Sequence, residues 1–243
     1  QRVESRVPGI ISPGTLEGLA RFIESMQFED GQLCSKYLLG TGATNSWVSL
    51  YYPGEAILAL LTYWEQSRDS RWTGVAARGM AYLCRTRIAA REVPPDHWAL
   101  LATEPLLALC GSAVATPVKR DDLLDHARRI CRLMLATQNQ EPAGSALLGG
   151  FTDDGRTCPT AIRLEGLLAA YRFLPEADVA LRAEIASACH LGTGFLLRSQ
   201  VRTGRLRGGF PRAICAKTET PQNRSFNDRV AEIRIDYVQH ALS

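Results

Sequence analysis

The sequence predicts an all-α fold of repeated helical hairpins, in which buried inner helices alternate with amphipathic outer helices. Three observations support this prediction. Apolar residues recur at helical spacing in eight segments, strand-like runs are few and short, and a pattern of helix, glutamine, glycine-containing turn and helix recurs along the chain. With 46% hydrophobic and 22% charged residues, the 243-residue chain has the composition of a globular domain.

Apolar spacing and start signals delimit the helices. In the first helix, Leu16 and Ile23 lie on one face, and Pro53 opens the second at a position where helices accept proline. The predicted helices span residues 14–28, 53–66, 71–89, 96–110, 121–138, 160–174, 178–200 and 234–243. Residues 147–151 and 206–211 are predicted to be glycine-rich turns with two or three extended residues each.

One helix of each repeat ends near a glutamine. ESMQFEDGQL around Gln27 precedes YYPGEAILALL, LATQNQEPAGSALLGGF around Gln138 precedes TAIRLEGLLAAY, and LRSQVRTGRLRGGF around Gln200 precedes RIDYVQHAL. A degenerate copy reads YLCRTRIAAREVPPDHWALLATEPLL. The helix ends recur at roughly 50–60 residues, the length of a helical hairpin with long loops.

The two helices of each repeat differ in character. YYPGEAILALL and TAIRLEGLLAAYRFL are nearly apolar beyond the first turn, whereas HARRICRLMLATQ carries a charged face. Helices that are apolar on all sides are buried, so the sequence predicts inner and outer layers. We expect a single domain over residues 1–243. Three alternatives stay open: the four hairpins close a small ring, the chain is excised from a longer protein, or a partner supplies further helices.

This repeat resembles that of the α/α-toroid superfamily, which includes six-hairpin glycosidases, terpene cyclases and protein prenyltransferases. The string YYPGEAILALLTYWEQSRDSRW looks most similar to the carbohydrate-active members. The resemblance implies a toroid, incomplete or small, with a cavity lined by the first turns of the inner helices. The chain lacks the acidic DxDD signature of terpene cyclases.

Polar and aromatic residues cluster at the predicted starts of the inner helices. Carboxylates and a histidine suit general acid–base chemistry on a glycan, and aromatic rings can stack on sugars. The predicted catalytic residues are Glu55, Asp96, His97, Glu165 and Asp236. The predicted substrate-binding residues are Tyr51, Tyr52, Trp98, Arg163, Tyr237 and His240. Neither a metal nor a cofactor is predicted.

Each of the first three predicted catalytic residues also has a purely structural interpretation. Glu55 falls in the first turn of a helix, where the helix dipole favours an acid. Asp96 follows two prolines and is a good N-cap. His97 can equally be a packed, hydrogen-bonded histidine.

The C-terminal candidates also have two interpretations. Arg163 can hold a carboxylate or phosphate through two parallel hydrogen bonds, or it can join Glu165 in structural ion pairs with neighbouring helices. Asp236 and His240, four residues apart, share a helix face. This spacing predicts either that the Asp236 carboxylate orients the His240 imidazole, or that the two side chains form an exposed pair.

Three further patterns do not carry the prediction. Asp121, Asp122 and Asp125 match the DDxxD spacing of prenyl synthases, yet acids are expected in the first turn of an outer helix. The Gly-Gly-Phe turns at 149–151 and 208–210 lack the Lys-Ser/Thr of a phosphate loop. The polar segment 216–233 is interpreted as a lid or as a plain disordered connection.

Charge and cysteine content limit the partners. A net charge of +3 with scattered basic residues argues against nucleic acid, although arginines in the C-terminal half favour an anionic ligand. No apolar run reaches the roughly 18 residues of a membrane span. Seven cysteines without a CxxC pair argue against structural zinc and favour a cytoplasmic, reducing compartment; a removed signal peptide stays an alternative.

We therefore predict a carbohydrate-active domain, a hydrolase, lyase or epimerase acting on a polysaccharide, with an acidic polymer favoured. The alternative is a non-catalytic module that binds a glycan or protein, either within a multidomain protein or as a homo-oligomer. Prenyl or terpenoid chemistry ranks third, because only 7% of the residues are aromatic.

Overall fold

The computed structural model describes residues 9–44, 47–88, 90, 93–110 and 117–242. Over these residues the protein is mostly helical, with one short β-hairpin, which confirms the predicted all-α class. Contacts divide the chain into two compact units, residues 1–130 and 131–243, and each unit is described by itself. The single domain predicted from the sequence stays a prediction.

The first unit is built around one buried helix. Its elements are α1 (Pro13–Ser25), β1 (Lys36–Leu38), β2 (Gly42–Thr44), α2 (Tyr52–Ser67), α3 (Ser70–Ile88), α4 (His97–Leu109) and the first part of α5 (Arg120–Ala136). Helix α2 packs against α1, α3 and α4, and its Ile57 and Leu60 are fully buried. The strands pair antiparallel, with Tyr37 opposite Ala43. Helix α2 is therefore buried, as its apolar sequence predicts.

The second unit also centres on one apolar helix. After the end of α5 its elements are α6 (Thr157–Phe173), α7 (Val179–Ser199), α8 (Arg224–Asn227) and α9 (Ile235–Leu242). Helix α6 packs against both α7 and α9, and its Leu167 and Ala170 are fully buried. It begins three residues before the prediction because Pro159 lies in the first turn, where the missing N–H costs nothing.

The Gln27 turn, residues 27–33, ties the end of α1 to α3. The side-chain amide of Gln27 donates to Gly31 O at 3.3 Å and to Val75 O at 2.9 Å. Gly31 has φ of +95°, and a Cβ there would stand 2.5 Å from Arg78 O. Glycine is therefore required both by the left-handed backbone and by the close approach to α3.

One later turn repeats this arrangement, and another repeats only its internal hydrogen bond. In the Gln138 turn, residues 138–150, the amide of Gln138 donates to Gly149 O at 3.1 Å and to Ala188 O at 2.8 Å. In the Gln200 turn, residues 200–209, the amide of Gln200 donates to Gly208 O at 3.1 Å. The sequence repeat therefore corresponds to a structural repeat. As predicted, residues 147–149 and 205–208 are hydrogen-bonded turns, and Pro211 at the end of the second segment forms an isolated β-bridge with Ile233.

The segment 216–233 lies on the surface of the second unit, with none of its residues buried, and is held there by hydrogen bonds and ion pairs. It contains α8, and its end lies beside residues 211–213, where Arg212 N donates to Glu232 O at 2.7 Å. The Lys217 ammonium lies 3.1 Å from Asp154 Oδ2 and over the Phe226 ring. The interpretation of this segment as a disordered connection is therefore wrong.

Two predictions about composition can be compared with the structure. All seven cysteines lie within the described residues and none forms a disulfide. Among the described helices, none has both the length and the hydropathy that crossing a bilayer requires.

Candidate functional site

An aromatic cluster joins the starts of α2 and α4 in the first unit. The ring of Tyr51 meets His97 edge-on at 5.6 Å between centroids, and His97 lies 4.7 Å from the Trp98 ring. His97 is almost fully buried, at 2% exposure, whereas Tyr51 and Trp98 are half-buried. The structure thus brings three of the predicted residues together, with the two larger rings partly accessible.

A glycine allows these two helix starts to approach. A Cβ on Gly54 would stand 2.6 Å from Ala99 N and 2.9 Å from Asp96 Oδ1. Asp96 caps α4, because its Oδ1 accepts a hydrogen bond from Ala99 N at 3.0 Å. The capping interpretation of Asp96 is therefore confirmed, and the catalytic one stays a prediction.

Asp96 also belongs to a buried charged network that the sequence did not predict. Arg87 Nη2 donates to Asp96 Oδ2 at 3.0 Å, and Arg87 Nη1 lies 3.3 Å from His126 Nε2. Burial raises the pKa of Asp96, and the Arg87 guanidinium opposes that rise. Burial, followed by the charges of Arg87 and Arg129, lowers the pKa of His126 to about 3. His126 is therefore neutral at pH 7, and its Nε2 accepts from Arg87.

Arg87 occupies the position of the glutamine in the degenerate repeat. It stands 12 residues after Val75, just as Gln200 stands 12 residues after Ala188. Arg87 also follows Gln27 by 60 residues, within the 50–60-residue recurrence of the repeat, and that recurrence was the signal in the sequence that pointed to it. His126, in turn, lies 12 residues before Gln138, the position that receives the side chain of the preceding turn.

Tyr52 and Glu55 lie in the first turn of α2. Glu55 is exposed, as a solvated first-turn acid would be. Burial raises the pKa of Tyr52, with smaller contributions from Cys34 and Glu55, so its hydroxyl is protonated at neutral pH. The structure therefore leaves Glu55 accessible to a ligand, whereas Asp96 is fully buried.

A cavity of about 230 Å³ lies beside α3 and α5 and includes two acids of the DDxxD pattern. Asp122 and Asp125 share its lining with Arg85, Arg129 and His126. Asp125 forms an ion pair with Arg128 at 2.7 Å. Asp121 and Asp122 lie in the first turn of α5, as their interpretation as ordinary helix-start acids requires.

In the second unit, Glu165 and His240 form an acid–histidine pair where α6 packs against α9. Glu165 Oε2 lies 3.2 Å from His240 Nδ1, and the two side chains are 12% and 14% exposed. When Nδ1 donates to the carboxylate, the imidazole lone pair lies on Nε2, which is the base position. This contact can orient a histidine for proton transfer.

The predicted pairing of Asp236 with His240 is replaced by other contacts. Asp236 accepts a hydrogen bond from Arg234 at 3.0 Å, and its side chain is 36% exposed. Tyr237 is buried, its hydroxyl donates to Glu232 at 3.4 Å, and the Arg234 guanidinium lies over its ring. The carboxylate that contacts His240 at 3.2 Å is that of Glu165.

Arg163 holds the turn that precedes α6. Its Nη1 donates to Phe151 O at 3.1 Å, and the guanidinium lies over the Phe151 ring at 5.9 Å. Arg163 thus contacts the backbone and ring of Phe151, whereas Glu165 contacts His240. A role for Arg163 toward a substrate carboxylate stays a prediction.

Comparisons with protein-family models, with curated proteins and with solved structures return no match for this chain.

Proposed function

We propose that the chain is a carbohydrate-active helical domain of the α/α-toroid kind, which abstracts a proton from a uronic-acid residue of an acidic polysaccharide. The observation that carries the proposal is the Glu165–His240 contact at 3.2 Å. The recurring glutamine turns and the buried α2 and α6 support the toroid part.

The chemistry follows from the pair. The carboxylate of Glu165 orients the imidazole, and Nε2 of His240 takes the C5 proton of the uronate, which is acidified by the adjacent carboxyl group. In a lyase, the electron pair left at C5 forms the C4–C5 double bond, the C4–O bond to the leaving sugar breaks, and the departing oxygen takes a proton from the His240 imidazolium, which restores the base. In an epimerase, C5 takes a proton from water on the opposite face, and the His240 imidazolium releases its proton to solvent.

The charge distribution favours an anionic substrate in this half of the chain. Residues 131–243 contain 14 Lys and Arg against 11 Asp and Glu, so the whole formal charge of +3 belongs to them. A positive field raises the local concentration of a polyanion and accelerates its association.

Two variants test the proposal on a panel of polyuronates. We expect His240→Gln and Glu165→Gln to lower activity by about 100-fold or more, the usual contribution of a positioned acid or base. Formation of the double bond is followed by ultraviolet absorbance, and exchange of C5 hydrogen by mass spectrometry in deuterated water. His190→Gln and Glu184→Gln are matched controls, because both side chains are exposed on α7.

Unchanged activity in both pair variants would overturn the catalytic assignment. A folded wild-type chain that neither cleaves nor exchanges any polymer of the panel would overturn the enzyme proposal itself.

A non-catalytic glycan-binding module is the second candidate function. Burial of Asp96 and His97, at 0% and 2% exposure, favours it, because neither side chain reaches solvent to act on a substrate. Calorimetric binding of a polyuronate by an inactive wild-type chain, retained in His240→Gln, would select this candidate.

A further inference from the structure

Each outer helix presents the same two positions to the turn of the preceding repeat. On α3 these positions are Val75, which accepts from Gln27 at 2.9 Å, and Arg78, whose carbonyl borders Gly31. They stand 12 and 9 residues before Arg87, the turn residue of that repeat.

The second unit repeats this register. Ala188 accepts from Gln138 at 2.8 Å, and the Leu191 carbonyl borders Gly149 so closely that a Cβ there would collide with it. These residues again stand 12 and 9 before a turn residue, Gln200.

The degenerate repeat uses side chains at the same register. On α5 the positions are His126 and Arg129, which stand 12 and 9 residues before Gln138. His126 Nε2 lies 3.3 Å from Arg87, and Arg129 donates to Ala90 O at 2.8 Å. Three turns are therefore covered by an outer helix at one common register.

The Gln200 turn has the same glutamine and positive-φ glycine, but among the described residues no helix packs over them. Gly208 has φ of +89°, and within the described part of the chain no atom lies within 4 Å of where its Cβ would stand. A groove of about 410 Å³ opens there, lined by Gln200, Val201, Arg202, Arg207 and Gly208.

On helix α1, the two positions that would cover a turn contact no turn among the described residues. By the same count from Gln27, its two positions are Thr15 and Gly18, and both are exposed. A Cβ on Gly18 would meet no atom of the described residues within 4 Å. Leu19 and Phe22, on the exposed side of α1, are 56% and 48% accessible, which is unusual for two large apolar side chains one turn apart.

The two surfaces also differ in charge. Residues 13–30 carry four acidic residues and one arginine, and two of these acids, Glu17 and Glu24, form ion pairs with Arg21 and Arg71. Residues 200–209 carry three arginines and no acid. Opposite charges of this kind favour encounter and fix orientation.

We propose that the chain self-associates head to tail, with α1 of one copy covering the Gln200 turn of the next. In this contact the Gln200 amide donates to Thr15 O, and Gly208 lies against Gly18. The contact is heterologous, since each copy uses two different surfaces, so copies add in a row or close into a ring.

The contact has one hydrogen bond fewer than two of its three intramolecular counterparts. Arg85 on α3 donates to Asp30 O at 2.8 Å and Arg198 on α7 donates to Leu148 O at 2.5 Å, each two residues before the turn residue. Helix α1 has Ser25 at that position. We therefore expect reversible association that depends on protein concentration.

Sedimentation velocity of the full chain tests the proposal. The weight-average mass of the wild type should rise with concentration. Gly18→Trp, which blocks the approach to α1, and Arg207→Glu, which reverses a charge of the groove, should each weaken association by about tenfold or more. Ala183→Trp on the exposed side of α7 and Arg224→Glu on α8 make the same changes elsewhere and should leave it unaltered.

Mixing the two blocked variants gives the sharpest outcome. Gly18→Trp retains an intact Gln200 turn and Arg207→Glu retains an intact α1, so an equimolar mixture should reach the mass of two copies and stop there. A wild type that stays a single copy at every concentration overturns the proposal. A mixture that stays single while the wild type associates also overturns it, because association then uses other surfaces.

Discussion

The side-chain amide of Gln138 donates a hydrogen bond to the backbone carbonyl of Ala188, 2.8 Å away in space and 50 residues away in sequence. The same nitrogen donates to Gly149 O at 3.1 Å, and the side chain is 7% exposed. Both hydrogens of the Gln138 amide thus form hydrogen bonds, and this one side chain connects the Gln138 turn to α7.

Replacing Gln138 by alanine should therefore leave two buried carbonyls with fewer donors. We expect Gln138→Ala to lower the free energy of unfolding by about 1–3 kcal/mol, the cost of unsatisfied buried groups. Urea denaturation followed by circular dichroism measures the change. Gln222→Ala, at an exposed loop position, is the control and should be neutral. Equal stability of the two variants would contradict the fastening role.

The helices could be predicted from the sequence because their apolar periodicity and their caps are local. Ser12 caps α1 and Asp96 caps α4, and both cap hydrogen bonds are made within three residues. The β1–β2 hairpin was missed because its three-residue strands are too short for an alternating pattern. Its turn depends on Gly40 and Gly42, with φ of +94° and +86°.

The pairings of the candidate site could not be predicted in the same way. Glu165 and His240 are 75 residues apart, and they meet because α9 packs against α6. Helical spacing predicted that Asp236 would contact His240, but the Asp236 carboxylate accepts a hydrogen bond from Arg234, two residues away. Spacing along one helix predicts only contacts within that helix, whereas the contact between His240 and Glu165 is set by the packing of α9 against α6.

The Arg87–Asp96 ion pair should be costly to break from one side. Asp96→Asn keeps an N-capping side chain but leaves the Arg87 charge buried, so we expect a loss of about 3–5 kcal/mol. The double variant Arg87→Met with Asp96→Asn removes both charges and should recover part of that loss. Thermal and urea unfolding of the two variants test this. A double variant less stable than Asp96→Asn would show that Arg87 stabilises the fold by other means.

His126 should make stability depend on pH. Its pKa is about 3 in the folded protein because burial and the charges of Arg87 and Arg129 disfavour the imidazolium, against about 6.5 when unfolded. The unfolded chain therefore takes up a proton first as the pH falls. The stabilisation from this group is complete above about pH 6.5 and is lost progressively toward pH 3.

Between pH 6.5 and pH 5 this should remove about 2 kcal/mol from the free energy of unfolding. His126→Gln has no group to protonate there and should lack that part of the pH dependence, while Gln can still accept from Arg87. Urea titrations of both proteins at the two pH values give the comparison. His190→Gln, at an exposed histidine, should retain the pH dependence of the wild type. Parallel profiles for wild type and His126→Gln would contradict the assignment.

Two glycines of the Gln138 turn separate backbone strain from close packing. Gly144 and Gly149 both have positive φ, +103° and +84°, so alanine is strained at either position. At Gly144 a Cβ would meet no described atom within 4 Å, whereas at Gly149 it would collide with the Leu191 carbonyl of α7. Gly144→Ala should cost about 1–2 kcal/mol.

Gly149→Ala should cost about 1–3 kcal/mol more than Gly144→Ala, because α7 must move away from the turn. The difference in urea midpoint between the two variants measures the packing part alone, since the backbone strain is common to both. Combining Gly149→Ala with Gln138→Ala extends the test. The double variant should lose less stability than the sum of the two single losses, because either change alone already loosens the turn from α7. Fully additive losses would mean that Gln138 and Gly149 hold α7 independently.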